Sequence, residues 1–479
     1  MPARQYSLRL HEPPALREGL RRLRSALGIP GRHPLEASAE AEAAAASSHV
    51  PERDLTDLPF VTLDPPGSTD LDQAFHLSRR AGGYLLRYAI ADVAAFVRPG
   101  GALDAETHAR GQTFYAPTSR VGLHPPVLAE GAASLLPGQV RPALVWEIGF
   151  DETGATTSAQ VARARVRSRR QWAYPEAQEA LDSGVSDEQL ILLREVGLLR
   201  LQQEATRGGV SLPVPEQEVV ATEHSGWQLS FRALLPIETW NAQLSLATGM
   251  AAARIMLDGG VGIVRTLPPA RDSGVAKLRR TAVALGISWP HGMGYPDFVR
   301  SLDPAQPRHA AMLNACTLLF RGAGYAAFDG EPPAQPEHAA IAAPYAHCTA
   351  PLRRLVDRYA GEICVALSAG APVPAWVREA LPSLPGEMDD SNRRARKYER
   401  GIVDLVEAMV LASRLGETFT GTVLEVDAER GAGVLQLTDP AVEAVIKGDD
   451  LALGEQVQAT LISADLLTGT VRFATLTDR

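Results

Sequence analysis

Cysteine is scarce in this sequence, whose 479 residues contain only Cys316, Cys348 and Cys364. The three are widely spaced and form no C-x-x-C pair, so neither a disulfide framework nor a structural zinc site is indicated. We expect three buried thiols.

No apolar run approaches the roughly 20 residues that span a bilayer, and the N-terminus lacks the apolar core of a signal peptide. The sequence therefore predicts a soluble, cytoplasmic protein with no membrane partner.

Positive charge is also in short supply, since the net charge is −9 and the pI is about 5.7. A nucleic-acid partner would have to be held by a local basic channel rather than by general attraction. Three of the 47 basic residues are lysines, so the other 44 are arginines, whose planar forks match phosphate oxygens. They cluster in residues 161–170 and 392–400, where a solvated face is the simpler interpretation of either cluster alone.

The remaining composition is that of a globular protein, and its length suggests roughly three domains. Residues 1–55 predict a small helical segment, because leucines recur at helical spacing between positions 16 and 27 before Gly28 and Pro30 end the pattern. This segment fits a helix-turn-helix domain and fits a docking appendage equally well. Residues 56–415 read first as strands and, beyond Tyr174, mainly as helices, which indicates one α+β unit.

The last part of the chain, residues 416–479, has short strands at the spacing of a five-stranded OB-fold barrel. Between Glu417 and Arg479 it carries four basic and eleven acidic residues. Phe419 and Phe473 are its only aromatic residues. Because single-stranded RNA is held by basic grooves and stacking aromatics, we expect this barrel alone to bind RNA poorly.

The most informative motif is FVTLDPPGSTDLDQAF, in which Asp64 ends an apolar strand and a Pro-Pro-Gly turn precedes Asp70 and Asp72. In an extended stretch Asp70 and Asp72 point to one side and Leu71 to the other. Three converging carboxylates repel one another unless a cation neutralises them, and oxygen ligands without His or Cys suit Mg²⁺ or Mn²⁺. The alternative is a solvated acidic hairpin tip.

A second motif, APYAHCTAPLRRLVDR, predicts a helix opened by Thr349 and Pro351, with Arg353 and Arg354 in its first turn. Arginine there opposes the helix dipole, and a bound anion would remove the conflict. The alternative is an ordinary ion pair between Arg353 and Asp357. An acidic metal cluster and an arginine-bearing helix start are together the parts of a phosphoryl-transfer or phosphodiester-hydrolysis site.

These motifs, with IADVAAFVRPGGALD, RGQTFYAP, LHPPVLAEGAASLLPG and RSRRQWAYPEAQEALD in this order, resemble the catalytic RNB domain of the ribonuclease II family. The similarity runs from about Asp54 to Leu415, and the final barrel resembles the RNA-binding barrel that commonly follows. The resemblance implies an RNB-type mixed α/β domain and a processive exoribonuclease. Such an enzyme hydrolyses single-stranded RNA from the 3′ end with Mg²⁺, releasing nucleoside 5′-monophosphates. It also implies a monomer with no obligate protein partner.

The resemblance assigns roles to individual residues. Asp64, Asp70 and Asp72 match three of four acidic metal-binding positions, with Asp70 and Asp72 also catalytic, and Arg353 matches the catalytic arginine. At the fourth acidic position stands Gln73. We expect its carbonyl oxygen to serve as a neutral metal ligand; alternatively, the site is repacked around an amide that donates to Asp72 or to water.

Further residues match positions that contact RNA. Tyr115 corresponds to an aromatic that stacks on the 3′-terminal base, and Glu238 and Glu399 correspond to RNA-contacting carboxylates. Asp92 lies in an apolar run and is expected to support the site by hydrogen bonding. The front of the chain is too short for the cold-shock-type barrels that usually precede this domain.

Two other function classes remain open. In one, Gln73 has disabled the metal site and the protein is a catalytically silent RNA-binding protein. In the other, the Asp70-Leu71-Asp72 triplet is the nucleophile motif of a phosphatase, although that chemistry places the pair directly after a buried strand, where Asp64 stands here.

Overall fold

The structure is a computed structural model that describes residues 14–47, 50–117, 119–184, 187–212, 216–222, 226–304, 306–320, 322–427, 429–437 and 439–475. The helices of this part of the chain are α1 Pro14–Ala26, α2 Leu35–Ala46, α3 Ala102–Arg110, α4 Tyr174–Asp182, α5 Glu188–Thr206, α6 Pro236–Asp258, α7 Asp272–Ala284, α8 Tyr295–Arg300, α9 Pro307–Cys316, α10 Leu355–Ser368, α11 Ala375–Ala380 and α12 Leu384–Leu411. The strands are β1 Phe60–Asp64, β2 Gln73–Arg80, β3 Gly83–Ala91, β4 Phe114–Tyr115, β5 Arg120–Val121, β6 Val140–Asp151, β7 Thr156–Ala173, β8 Glu216–Thr222, β9 Gly226–Arg232, β10 Val261–Thr266, β11 Gly324–Asp329, β12 Glu337–His338, β13 Ala343–Pro344, β14 Thr418–Asp427, β15 Ala432–Leu437, β16 Glu443–Lys447, β17 Gln456–Asp465 and β18 Thr470–Thr475.

The centre of the α+β unit is a closed barrel in the order β1-β2-β3-β6-β7. Antiparallel pairs build the barrel, and a parallel pair between β1 and β7 closes it. Successive side chains of β3 alternate between two cores, with Tyr88 and Ile90 in one and Ala89 and Ala91 in the other. Because both faces are apolar, helices can cover the barrel from outside while its interior stays filled.

Two of the covering helices, α6 and α10, hold the segment that leads into the arginine motif. Gly249 of α6 lets this segment approach closely, because a Cβ there would stand 2.1 Å from the Tyr345 ring. Gly361 lets α10 approach the barrel closely, because a Cβ there would stand 2.7 Å from the Leu144 side chain. The arginine motif is thereby pressed against the barrel end that carries the acidic motif.

The C-terminal strands form the predicted five-stranded barrel, closed in the order β14-β15-β16-β18-β17. Phe419 and Phe473 are both buried and form an edge-to-face pair with ring centroids 5.7 Å apart. Neither ring is available to stack on a base.

The two N-terminal helices pack on different parts of the molecule rather than on each other's core. Leu16 and Leu20 of α1 join the core that contains Ile402 of α12, and Ala37 and Ala41 of α2 join the barrel core that contains Leu103. The three cysteines are buried free thiols, as expected. Among the described residues, no helix combines the length and apolarity required to cross a membrane.

Candidate active site

The acidic motif forms a tethered loop between β1 and β2. Asp64 ends β1, and a turn follows in which the Ser68 N–H donates to the Pro65 carbonyl at 3.2 Å. Gly67 occupies this turn with φ +80°, a conformation that favours glycine. Leu71 is fully buried in the core, so Asp70 and Asp72 face the opposite side, as predicted.

Neighbouring segments hold the extended part of this loop in place. The Leu71 N–H donates to Ser134 Oγ at 2.9 Å, and Ser134 Oγ donates in turn to the Thr69 carbonyl at 2.7 Å. The Ala91 N–H donates to the Asp72 carbonyl at 2.9 Å. The acidic motif is therefore anchored by its backbone.

The arginine motif differs from the sequence expectation in where its helix begins. Helix α10 starts at Leu355, so Arg353 and Arg354 precede it instead of lying in its first turn. The extended segment 111–113 takes up the backbone here: Thr113 N–H donates to the Arg353 carbonyl at 2.9 Å and Leu355 N–H donates to the Gly111 carbonyl at 3.0 Å. These partners compete with helical hydrogen bonding and delay the helix.

The two arginines have different partners. Arg354 pairs with Asp357 through contacts of 2.5 and 2.8 Å, so the ion pair with Asp357 belongs to Arg354 and not to Arg353. Arg353 instead turns toward the acidic loop, with its Nε 3.4 Å from Asp72 Oδ2. Its side chain is 40% exposed and can still contact a ligand.

Asp72 joins the two motifs. Its Oδ1 accepts a hydrogen bond from the Leu352 N–H at 2.8 Å, between residues 280 positions apart. Burial raises the pKa of Asp72 well above its usual range, although Arg353 and the Leu352 N–H oppose the rise. A buried carboxyl group with an elevated pKa in a cleft marks a functional site.

Asp70 is held by a short two-stranded ribbon formed by β4 and β5. Tyr115 and Arg120 are cross-strand partners in this ribbon, and both reach Asp70. Arg120 Nη1 lies 2.5 Å from Asp70 Oδ1, and the Tyr115 hydroxyl donates to Asp70 Oδ2 at 3.3 Å. Arg120 also pairs with Glu130 at 2.7 Å. Asp70 is thus neutralised by a protein cation in this structure.

Gln73 lies at the start of β2, where both ends of its amide are occupied. Its Nε2 donates to the Thr349 carbonyl at 2.7 Å, and because a carbonyl only accepts, this contact determines the amide orientation. Its Oε1 accepts from the hydroxyl of buried Tyr88. The structure therefore differs from the expected free neutral ligand: the amide connects the barrel to the arginine motif.

Asp64 completes the carboxylate set. Its Oδ2 is buried and has no hydrogen-bond partner among the described residues. Burial raises the pKa of Asp64 to about 7; Arg353 opposes this rise and Asp70 adds to it. A divalent cation would coordinate the unpaired Asp64 oxygen and would stabilise the ionised form of these buried carboxyl groups.

The fit to a metal is consequently partial in the arrangement seen. Asp64 and Asp72 have too little positive charge around them and could be neutralised by a divalent cation. Asp70 is already paired with Arg120 and would bind the cation only after that ion pair breaks. Among the residues that the structure describes, no group of three His, Cys, Asp or Glu side chains is placed to hold a metal ion.

The other predicted residues have partners of their own. Glu238 accepts from Arg232 at 2.6 and 3.1 Å and from the Leu235 N–H at 2.8 Å, at the start of α6. Asp92 is buried and pairs with Arg163 at 2.8 Å. Glu399 is half-buried on α12. Contacts of Glu238 and Glu399 with RNA, and a supporting role for Asp92, stay predictions.

The arginine cluster 161–170 lies in β7 and is largely taken up by carboxylates. Arg165 pairs with Asp54 at 2.7 Å and Arg170 with Glu176 at 2.8 Å. In the cluster 392–400, Arg400 pairs with Asp404 at 2.9 Å. Surface pairing is therefore the main role of the first cluster and part of the second.

Three site residues escaped sequence reasoning. They are Tyr88, which binds Gln73, Arg120, which binds Asp70, and Tyr174, whose hydroxyl accepts from Asn241 at 3.1 Å and lies close to Asp64. Only Tyr174 carried a signal, since it belongs to the RSRRQWAYPE motif.

Comparison with family models finds two matches. Residues 52–367 match the RNB domain, and residues 417–476 match the RNase II-type exonuclease C-terminal S1 domain. The first match covers well over half of the chain, including the acidic and arginine motifs.

Curated relatives agree with this. Ribonuclease R of Mycoplasma genitalium is 26% identical over 393 residues, covering 78% of this chain and 53% of that protein. Ribonuclease R of Helicobacter pylori is 25% identical over 429 residues, covering 87% of this chain and 65% of that protein. The chain thus spans between half and two-thirds of the length of these relatives.

Solved structures share the fold. Mycoplasma genitalium RNase R in complex with ribose methylated single-stranded RNA has a TM-score of 0.86 at 19% identity, covering 97% of this chain and 78% of that one. Yeast Ssd1, a pseudonuclease, has a TM-score of 0.68 at 16% identity, covering 85% and 51%. The same fold therefore occurs in a complex with RNA and in a pseudonuclease.

Proposed function

The chain belongs to the RNB-domain family of ribonucleases, and from this premise we propose that it is a processive 3′-to-5′ exoribonuclease. It hydrolyses single-stranded RNA to nucleoside 5′-monophosphates with the help of a divalent metal ion. The observation that carries the proposal is the contact between Arg353 and Asp72, with Arg353 Nε 3.4 Å from Asp72 Oδ2. A cation-binding carboxylate and a phosphate-binding guanidinium are what phosphodiester hydrolysis needs side by side.

Asp64 and Asp72 are the residues that would hold the metal, and Asp70 would join them when Arg120 releases it. Mg²⁺, or Mn²⁺ in its place, would supply an activated water and neutralise charge on the phosphate. Gln73 contributes by positioning: its contact with the Thr349 carbonyl aligns the arginine motif with the carboxylates.

Arg353 would grip a non-bridging oxygen of the scissile phosphate. Its backbone carbonyl accepts a hydrogen bond from the Thr113 N–H, which fixes the position of the residue. Its side chain is 40% exposed, so the guanidinium is accessible to a substrate. A fixed donor aimed at developing charge stabilises the transition state without reorganisation cost.

Tyr115 would stack on the terminal base. It lies in the ribbon that also carries Arg120, and its hydroxyl is directed at Asp70. A base seated on this ring therefore lies next to the carboxylates, which favours cleavage at the end of a strand over cleavage within it.

One assay tests the proposal. Purified protein is incubated with 5′-end-labelled single-stranded RNA and Mg²⁺, and in parallel with EDTA. With Mg²⁺ only, we expect the labelled full-length strand to convert to a short 5′-terminal fragment with few intermediates. The unlabelled nucleoside 5′-monophosphates that are released should appear by chromatography. Internal fragments, or no hydrolysis with either Mg²⁺ or Mn²⁺, would reject it.

A second candidate is a catalytically silent RNA-binding protein. It is favoured by the ion pair of Asp70 with Arg120 and by the full use of the Gln73 amide, because both reduce the charge available to a metal. The same assay separates the two, since the silent protein binds the labelled RNA and leaves its length unchanged.

A further inference from the structure

A second basic site lies on the Arg354 side of the arginine motif. Arg265 of β10 is paired in register with Tyr325 of β11, and its guanidinium lies 4.5 Å over the Tyr325 ring. The Arg265 backbone N–H donates to the Tyr345 carbonyl at 2.7 Å, which attaches the strand directly to the arginine motif.

Arg265 has no carboxylate partner among the described residues, in contrast to neighbouring Arg354, which is paired with Asp357. Its Nη1 is buried and donates to none of the described residues. Burial lowers the pKa of Arg265, and the nearby positive charges of Arg354 and Arg396 lower it further, whereas Tyr325 and Asp389 oppose this. A buried guanidinium among like charges is costly unless an anion accompanies it.

A second unsatisfied donor lies beside the same tyrosine. Burial raises the pKa of Tyr325, and Arg354, Arg265 and the Asn392 amide oppose that rise, so all three are close to its hydroxyl. Asn392 Nδ2 is buried and faces the Tyr325 hydroxyl, and it has no acceptor at full hydrogen-bond geometry among the described residues. Its other end is satisfied, because Asn392 Oδ1 accepts from Gln112 at 3.4 Å.

Arg396 completes the arrangement. It lies four residues after Asn392 on α12, so both side chains emerge from the same helix face. It is exposed and forms no ion pair within the described part of the chain. Helix α12 packs against β11, so Arg265 Nη1, Asn392 Nδ2 and the unpaired guanidinium of Arg396 lie near one another. An anion with several oxygens would satisfy all three.

We propose that Arg265, Asn392 and Arg396 form a phosphate subsite that holds a backbone phosphate of bound RNA beside the arginine motif. This rests on the proposed RNA substrate. RNA backbone is favoured over free phosphate because Arg396 is solvent-exposed, leaving the subsite open to a continuing strand. In a protein of net charge −9, the local basic channel must be built from such unpaired arginines.

The test measures binding of fluorescently labelled single-stranded RNA by anisotropy in EDTA, where the strand is not hydrolysed, at salt concentrations from about 50 to 200 mM. Arg396→Gln is expected to lower the slope of log affinity against log salt by about one. The variant should then differ from wild type by a factor that changes roughly threefold across this range. Arg254→Gln is the matched control, because Arg254 is an exposed arginine already paired with Asp258 at 2.8 Å.

Asn392→Asp gives a second, nearly isosteric variant. It places a carboxylate beside Arg265, so we expect weaker RNA binding together with an unchanged or higher melting temperature. Arg265→Gln should weaken RNA binding as well, and Arg396→Gln remains informative if that half-buried variant is unstable.

Unchanged affinity and slope in both Arg396→Gln and Asn392→Asp would overturn the subsite, whatever the outcome of the hydrolysis assay. If titration calorimetry shows that the variants lose affinity for adenosine 5′-monophosphate or inorganic phosphate while RNA binding is intact, the RNA assignment is wrong and the site serves a free phosphate. Wild-type binding without hydrolysis would reject the proposed activity and leave the subsite measurable.

Discussion

The Asp72 carboxylate accepts a hydrogen bond from the Leu352 backbone N–H at 2.8 Å, and this contact brings the acidic motif and the arginine motif into one site. Because the donor is a main-chain group, the carboxylate stays in place whatever Arg353 does. Asp72 can therefore keep its position while the guanidinium turns toward a substrate.

Asp72→Asn tests this carboxylate. We expect turnover to fall by roughly 100-fold or more, because the lost charge acts on metal and phosphate chemistry. RNA affinity should remain within a few-fold of wild type, since an asparagine can still accept from Leu352. Single-turnover hydrolysis and anisotropy measure the two quantities, with exposed Asp57→Asn as control. Activity close to wild type would contradict the assignment of Asp72.

Arg120→Gln tests the ion pair with Asp70. Removing a cation 2.5 Å from Asp70 should free this carboxylate and strengthen Mn²⁺ binding by about 1 kcal/mol, roughly fivefold. Mn²⁺ binding can be followed by electron paramagnetic resonance without RNA. Arg79→Gln removes a comparable arginine, paired with Glu195 at 2.6 Å on the barrel surface, and should change nothing. Weaker Mn²⁺ binding by Arg120→Gln would show that the arginine supports the metal site.

Gln73→Asp tests the role of the amide. An aspartate cannot donate to the Thr349 carbonyl, and an unpaired buried carbonyl costs about 1–3 kcal/mol. The added charge should also raise the pKa values of the neighbouring carboxyl groups, so we expect lower thermal stability and slower hydrolysis at neutral pH.

The matched control is Gln171→Asp, because Gln171 Nε2 donates to the Ser68 carbonyl of the same loop at 2.9 Å. This substitution removes a similar hydrogen bond farther from the amide that aligns the arginine motif. If Gln73→Asp instead lowers the half-activating Mg²⁺ concentration, the amide is a metal ligand as the sequence suggested.

His124 makes stability depend on pH. Burial lowers its pKa to about 3, and its Nε2 donates to the Pro351 carbonyl at 3.2 Å. That hydrogen bond is the main opposing contribution, and the nearby charges of Arg358, His33 and Arg110 lower the pKa further. The folded protein keeps His124 neutral where the unfolded chain is protonated, so stability is present above pH 6.5 and is lost as the pH falls.

Below pH 6.5 this residue should cost wild type up to about 1.4 kcal/mol per pH unit. The stability difference between wild type and His124→Gln should therefore shrink between pH 6.5 and 5, as measured by chemical denaturation. His291→Gln, at an exposed position, should show a constant difference. A gap that is independent of pH for His124→Gln would contradict a buried neutral imidazole.

Local patterns predicted a large part of the molecule. The Pro-Pro-Gly turn, the alternation of Asp70, Leu71 and Asp72, and the strand ending at Asp64 depend on near neighbours in sequence, and the structure confirms them. The short strands of the C-terminal barrel were predictable for the same reason, whereas its closure depends on the pairing of β14 with β17 and of β16 with β18. The helix start was wrong, since the backbone of Arg353 and Leu355 is hydrogen-bonded to a segment some 240 residues earlier.

The sequence by itself determined which residue types lie in each motif, the order of the elements and the family they belong to. Only the tertiary structure decided that Arg353 turns to Asp72, that Arg120 neutralises Asp70 and that the Gln73 amide joins Tyr88 to Thr349. These partners lie on different elements, and their approach depends on how α6 and α10 pack against the barrel. Packing of that kind is a cooperative property of many buried side chains, so no local spacing of residues specifies it.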